Sequence, residues 1–150
     1  FGGTLHRAFS VFVFNTAGEM LLQQRAISKY HSGGLYTNTC CSHPRPHEDI
    51  SDAANRRLQE EMGMSCALQK IFSFEYKADL DHDLTEWELD HVFIGKSDST
   101  TVIKPLEVEC FEYVNIDWLL KDLASRPNRY TEWFKASVDK VIAAQRNTLK

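Results

Sequence analysis

No apolar run in this chain approaches the ~20 residues a helix needs to cross a bilayer, so a helical membrane protein is excluded. There is no excess of positive charge: 17 Lys and Arg face 21 Asp and Glu, for a net charge of -4. That balance argues against nucleic acid or an anionic membrane as partner. No leader pattern opens the chain, and there is no repeat, low-complexity tract or linker. No C-x-x-C pair occurs, which argues against a structural zinc knuckle. Cysteine is sparse: Cys40, Cys41, Cys66 and Cys110 are too few in 150 residues for a secreted disulfide scaffold. Two of them are adjacent, where a bridge is strained. The expectation is a cytoplasmic protein with free thiols.

What remains is ordinary globular material. A 150-residue chain, 43% hydrophobic and 25% charged, fits one domain over 1–150, able to bury roughly 70% of its unfolded surface. Arg7–Asn15 is almost continuously apolar and predicts a strand buried on both faces. After a turn at Thr16–Glu19, Met20–Arg25 returns as a second strand. Ser28–Gly34 is a polar loop, and Leu35–Cys41 is a third strand. Pro44 and Pro46 stiffen the loop that follows. A helix spans about Ser51 to Met62 and stops at Gly63, with Ile50, Ala54, Leu58 and Met62 as its core-facing stripe. Ile71–Ala78 and Thr85–Gly95 are strands joined by an acidic loop, and Cys110–Val114 is another. Asn115 or Asp117 caps a helix to Leu123, and Thr131 caps a last one toward Gln145. Strands and helices do not alternate regularly, so the class is α/β or α+β, a mixed sheet between helices.

The first helix ends with Glu60 and Glu61 just before its glycine stop. Carboxylates there oppose the helix dipole and need a cation, either a divalent metal or Arg56 and Arg57 one turn earlier. The segment resembles the Nudix box: Glu48, Arg56, Leu58, Glu60, Glu61, Gly63 and Met64 match. Ser42 stands where the box has Gly, and Arg57 where it has a Glu that holds magnesium in Nudix hydrolases. The second exchange argues against hydrolysis and leaves diphosphate binding, for which Arg is suited.

In Thr85–Gly95, strand alternation puts Glu86, Glu88 and Asp90 on one face. Taken alone, such a row is more often a solvated edge than a metal site. With His6 and His43 it would suit Mn²⁺, Zn²⁺ or Mg²⁺. The chain as a whole resembles the type I isopentenyl-diphosphate isomerases, a family with the Nudix fold. The resemblance rests on Leu5–Ser10, Arg25–Lys29, Thr37–Pro44, the Nudix-like helix and Glu86-Trp87-Glu88. It implies that His6, His43, Glu86 and Glu88 ligate one divalent metal and that Glu61 holds Mg²⁺ on a diphosphate. It further implies Cys41 and Glu88 as the acid–base pair, Arg25, Lys29 and Arg57 as phosphate ligands, Tyr76 as a hydrogen-bonding tyrosine and Trp133 as the aromatic shield of a carbocation. Moving a double bond needs a proton added at one carbon and removed at another, which two such groups on opposite sides of a substrate would do.

The family carries a further histidine and a lysine ahead of the position of Phe1, so the chain is expected to lack an N-terminal segment and to act as a monomer or weak dimer on a small prenyl diphosphate. Two other readings stand beside the isomerase: a Nudix hydrolase of a nucleoside or prenyl diphosphate, and a catalytically silent Nudix-fold module.

Overall fold

The computed structural model describes residues 5–27, 33–80, 84–99 and 108–148. The elements in chain order are β1 (His6–Phe14), β2 (Met20–Arg25), β3 (Tyr36–Thr37), β4 (Cys40–Ser42), α1 (Ile50–Met62), β5 (Leu68–Leu80), β6 (Leu84–Lys96), β7 (Val108–Val114), α2 (Ile116–Ser125) and α3 (Glu132–Thr148). A short 3-10 turn at Pro127–Arg129 joins the last two helices.

The apolar run of β1 is buried on both faces, as its composition requires. Phe12 and Phe14 point into a cluster with Met20, Leu22, Val92, Ile94 and the α3 residues Phe134, Val138 and Val141. Phe9, Val11 and Val13 point the other way, against Ala53, Ala54, Leu58 and Met62 of α1. Leu58 and Met62 are fully buried, each contributing about 1.5–3 kcal/mol of apolar transfer. The helices thus sandwich a sheet that, among the described residues, has seven strands. It is mixed: β1 runs parallel to β6, and the remaining pairs are antiparallel.

The expected strand over Leu35–Cys41 is instead two short strands with different partners. β1 and β2 are paired only next to their turn, at Phe14 and Met20, and part beyond it. β3 pairs with β2 and β4 pairs with β1, so the segment crosses the wedge between them. Backbone groups in a wedge have lost their ladder partners and must find others. Thr39 Oγ1 accepts from the Val13 N–H at 2.9 Å and donates to the Leu21 carbonyl at 2.6 Å. Asn38 Nδ2 donates to the carbonyls of Val11 and Cys40, at 3.0 and 2.7 Å. The polar Thr-Asn-Thr run is buried because it replaces a missing stretch of sheet.

The first helix begins one residue earlier than expected, with the Asp49 side chain accepting from the Asp52 N–H. It ends at Gly63, whose φ of 61° is the left-handed C-cap conformation that glycine adopts without penalty. Asn115 caps α2 through the Trp118 N–H. The Thr131 hydroxyl, expected to cap α3, instead pairs with the Thr37 hydroxyl at 2.8 Å, tying the start of α3 to β3. No helix among the described residues is long and apolar enough to cross a membrane.

Candidate active site

The site is assembled on one face of the sheet where β4, β1, β6 and β5 lie side by side. Paired residues on neighbouring strands share a face. Cys41 of β4 is opposite Ser10 of β1. His6 of β1 is opposite Glu88 of β6, and Tyr76 of β5 is opposite Glu88. His43, just past β4, brings its Nε2 onto Glu88 Oε2. From Glu88 onward the acidic row of β6 is not a solvated edge. β6 lies between β1 and β5, and Glu88 and Asp90 are buried. Asp90 Oδ2 accepts a hydrogen bond from Ser10 Oγ at 2.9 Å.

The two adjacent cysteines separate as strand alternation requires. Cys40 is fully buried in the apolar cluster under α1. Cys41 points to the other face, where burial pushes its thiol up to about 12. The Arg25 guanidinium opposes that shift, while the charges of Glu61, Asp90 and Glu88 add to it. The thiol therefore stands among Arg25, Glu61, Glu88 and Asp90. The first three were anticipated from sequence. Asp90, two residues after Glu88 on the same face of β6, is the member of this group that the family motif does not include.

Arg25 sits where the β2–β7 pairing shifts register, an irregularity that re-aims a side chain. Its guanidinium lies 5.3 Å from the centre of the Trp133 ring. Trp133 and Tyr76 are buried, yet among the described residues they belong to neither apolar cluster. Trp133 Nε1 has no hydrogen-bond partner among the described residues.

At the end of α1 the expected ion pairs are present. Arg57 donates to Glu60 at 2.8 Å and to Glu61 at 2.5 Å, and Arg56 to Glu60 at 3.1 Å. Gln23 Nε2 reaches the second oxygen of Glu61 at 3.2 Å. Arg56 also grips both oxygens of Glu48 at 2.9 Å. That hydrogen bonding, helped by the Arg45 N–H, holds the Glu48 carboxyl down at about 2. The Glu60 carboxyl is also lowered, chiefly by Arg57.

Whether these groups suit a divalent ion can be tested on the donors. His43 and Glu88 meet directly, with His6 across the register from Glu88, and imidazole with carboxylate is the donor set of such ions. No group of three or more candidate ligands forms among the described residues. Glu86 is two residues before Glu88 on β6, and its side chain lies outside the described ones. Among the described residues the donors that meet are His43 and Glu88. Lys29, expected to bind phosphate, also lies outside the described residues.

The sequence pattern of the NUDIX domain matches residues 4–134, and the fold is that of this class. The MutT protein from Methanosarcina mazei superposes with a TM-score of 0.76 over 97% of this chain and 98% of its own, at 14% identity. A Burkholderia pseudomallei MutT Nudix hydrolase gives 0.74 over 93% and 99%, at 15% identity. Sequence similarity narrows the class. Isopentenyl-diphosphate Delta-isomerase 1 of Aromatoleum aromaticum is 52% identical over 95% of this chain and 81% of its own length. The isopentenyl-diphosphate Delta-isomerase of Pectobacterium atrosepticum is 48% identical over 93% and 78%. The chain belongs to the isopentenyl-diphosphate Delta-isomerase family of Nudix-fold proteins.

Proposed function

We propose that this enzyme interconverts isopentenyl and dimethylallyl diphosphate, delivering a proton to one end of the allylic unit and removing one from the other. The observation that supports this mechanism is that Cys41 and Glu88, on strands on either side of β1, lie on the same face of the sheet, with Glu88 buried. Protonation of the alkene makes a tertiary carbocation. The Trp133 ring supplies an aromatic face for it and closes the site to water. One member of the Cys41–Glu88 pair gives up its proton and the other gains one, so exchange with solvent must reset the pair after each turnover. Tyr76, opposite Glu88 in the β5–β6 register, brings a buried phenol to the same face of the sheet.

His6, His43, Glu86 and Glu88 would hold a divalent ion, Mn²⁺, Zn²⁺ or Mg²⁺, and Glu61 a Mg²⁺ that shares the diphosphate oxygens. When bound, these ions supply positive charge that neutralises the diphosphate and fixes the ionised state of Glu88. Arg25, Lys29 and Arg57 are the cations available to the phosphate oxygens. Arg57 already aligns its guanidinium on two carboxylates, and it would share them with the substrate's metal. The four cysteines are all free thiols, which supports a reducing, cytoplasmic setting.

Turnover of isopentenyl diphosphate with Mg²⁺ in D₂O tests the reading. Deuterium in an allylic diphosphate product is expected. Released phosphate would point to a hydrolase instead, and no turnover would leave a binding module.

A further inference from the structure

Among the described residues β4 and β6 are not paired with each other: each pairs with β1, on opposite sides. β1 is therefore one of the links that set their relative placement, beside the direct contact of His43, two residues after Cys41, with Glu88. The β1 residue opposite Cys41 is Ser10, and its hydroxyl reaches diagonally to Asp90, two residues beyond Glu88 on the same face of β6. Both partners are enclosed, Ser10 at 1% and Asp90 at 3% exposure. The bond is a cross-strand tie on the sheet face that the two acid–base groups share.

Resting on the isomerase reading above, we infer that Ser10 and Asp90 are a positioning pair for that reaction, the Ser10–Asp90 hydrogen bond setting how Cys41 faces Glu88. Neither is assigned contact with substrate. Asp90 acts on the geometry through Ser10 and its own strand, so its loss lowers the rate of the proton steps without weakening diphosphate binding, which lies with Arg25, Arg57 and Glu61. Misplacement of a reacting group by a fraction of an ångström to 1 Å is enough to cost on the order of 10²-fold in rate.

The test measures kcat and KM for isopentenyl diphosphate, with thermal melting as a control, in wild type and in Ser10→Ala, Asp90→Ala, Asp90→Asn and the double Ser10→Ala/Asp90→Ala. Expected are a kcat loss of roughly 10- to 100-fold in each alanine variant with KM within twofold, and a double variant no worse than either single. Asp90→Asn, whose amide oxygen still accepts the Ser10 hydroxyl, should keep kcat within about threefold. Losses that multiply in the double variant, a matching rise in KM, or full kcat in Ser10→Ala would overturn the inference. An inactive wild type would instead overturn the isomerase reading, so the two failures are separable.

Discussion

Cys40 and Cys41 are the same amino acid one residue apart, and strand alternation gives them opposite environments. Cys40 is packed with Phe9, Val11 and Leu58 under α1, while Cys41 faces Arg25, Glu61, Asp90 and Glu88. Replacing each by Ala should therefore separate packing from chemistry. Cys41→Ala is expected to lower deuterium incorporation by at least ~10²-fold with little change in melting temperature. Cys40→Ala should keep the rate and lose roughly 1 kcal/mol of stability from the vacated core volume. Glu88→Gln keeps the shape of the side chain but cannot exchange a proton, and should lose the same ~10²-fold or more. Retained exchange in Cys41→Ala or Glu88→Gln would remove that residue from the pair.

Among the elements, the wedge between β1 and β2 is held by side chains doing the work of backbone. The Thr39 hydroxyl serves one group on each strand, the Val13 N–H and the Leu21 carbonyl. Thr39→Val preserves shape and leaves both groups without it, so chemical denaturation should show a loss on the order of 2 kcal/mol or more. A second junction lies between α2 and α3. Burial alone would raise the Asp122 carboxyl. Hydrogen bonds from Tyr130 and Arg126 and the charge of Arg129 outweigh it and leave the group below its ordinary 3.8. A depressed carboxyl stabilises the fold above its unfolded value and loses that contribution as pH falls through the lower folded value. Asp122→Asn should thus melt earlier than wild type at neutral pH, by roughly 2 kcal/mol. The gap should close in acid well below pH 3.8, and a gap independent of pH would show that the charge is not what matters there.

For the molecule as a whole, α3 has two jobs that fall on adjacent residues. Phe134 stacks on Phe12 and Tyr130, with ring centres 5.9 and 5.6 Å apart, and anchors the helix to the sheet. Trp133 carries Arg25 over its ring and lies outside that cluster. Phe134→Ala should cost about 3–5 kcal/mol, whereas Trp133→Ala should chiefly reduce kcat. If Trp133→Ala costs as much stability as Phe134→Ala, its role is packing.

Much of this was legible in the residues themselves, because local rules act over a few positions. The unbroken apolar run of β1, the Gly63 stop and the i, i+4 arginine–glutamate pairs follow from periodicity and side-chain chemistry, and the structure has them. The residues from Thr37 to Pro44, with Glu86 and Glu88, pointed to the family by resemblance. Three things depended on which strands became neighbours. The segment Leu35–Cys41 breaks in two because β1 and β2 diverge, Glu88 and Asp90 of β6 are enclosed because that strand is central, and Ser10 meets Asp90 across 80 positions of sequence. Sequence alone determined that a thiol and an imidazole, Cys41 and His43, stand two residues apart ahead of a stiff proline-flanked loop. Only tertiary structure decided what they face, because the field at a thiol and the partner of an imidazole are set by strands brought together from distant parts of the chain.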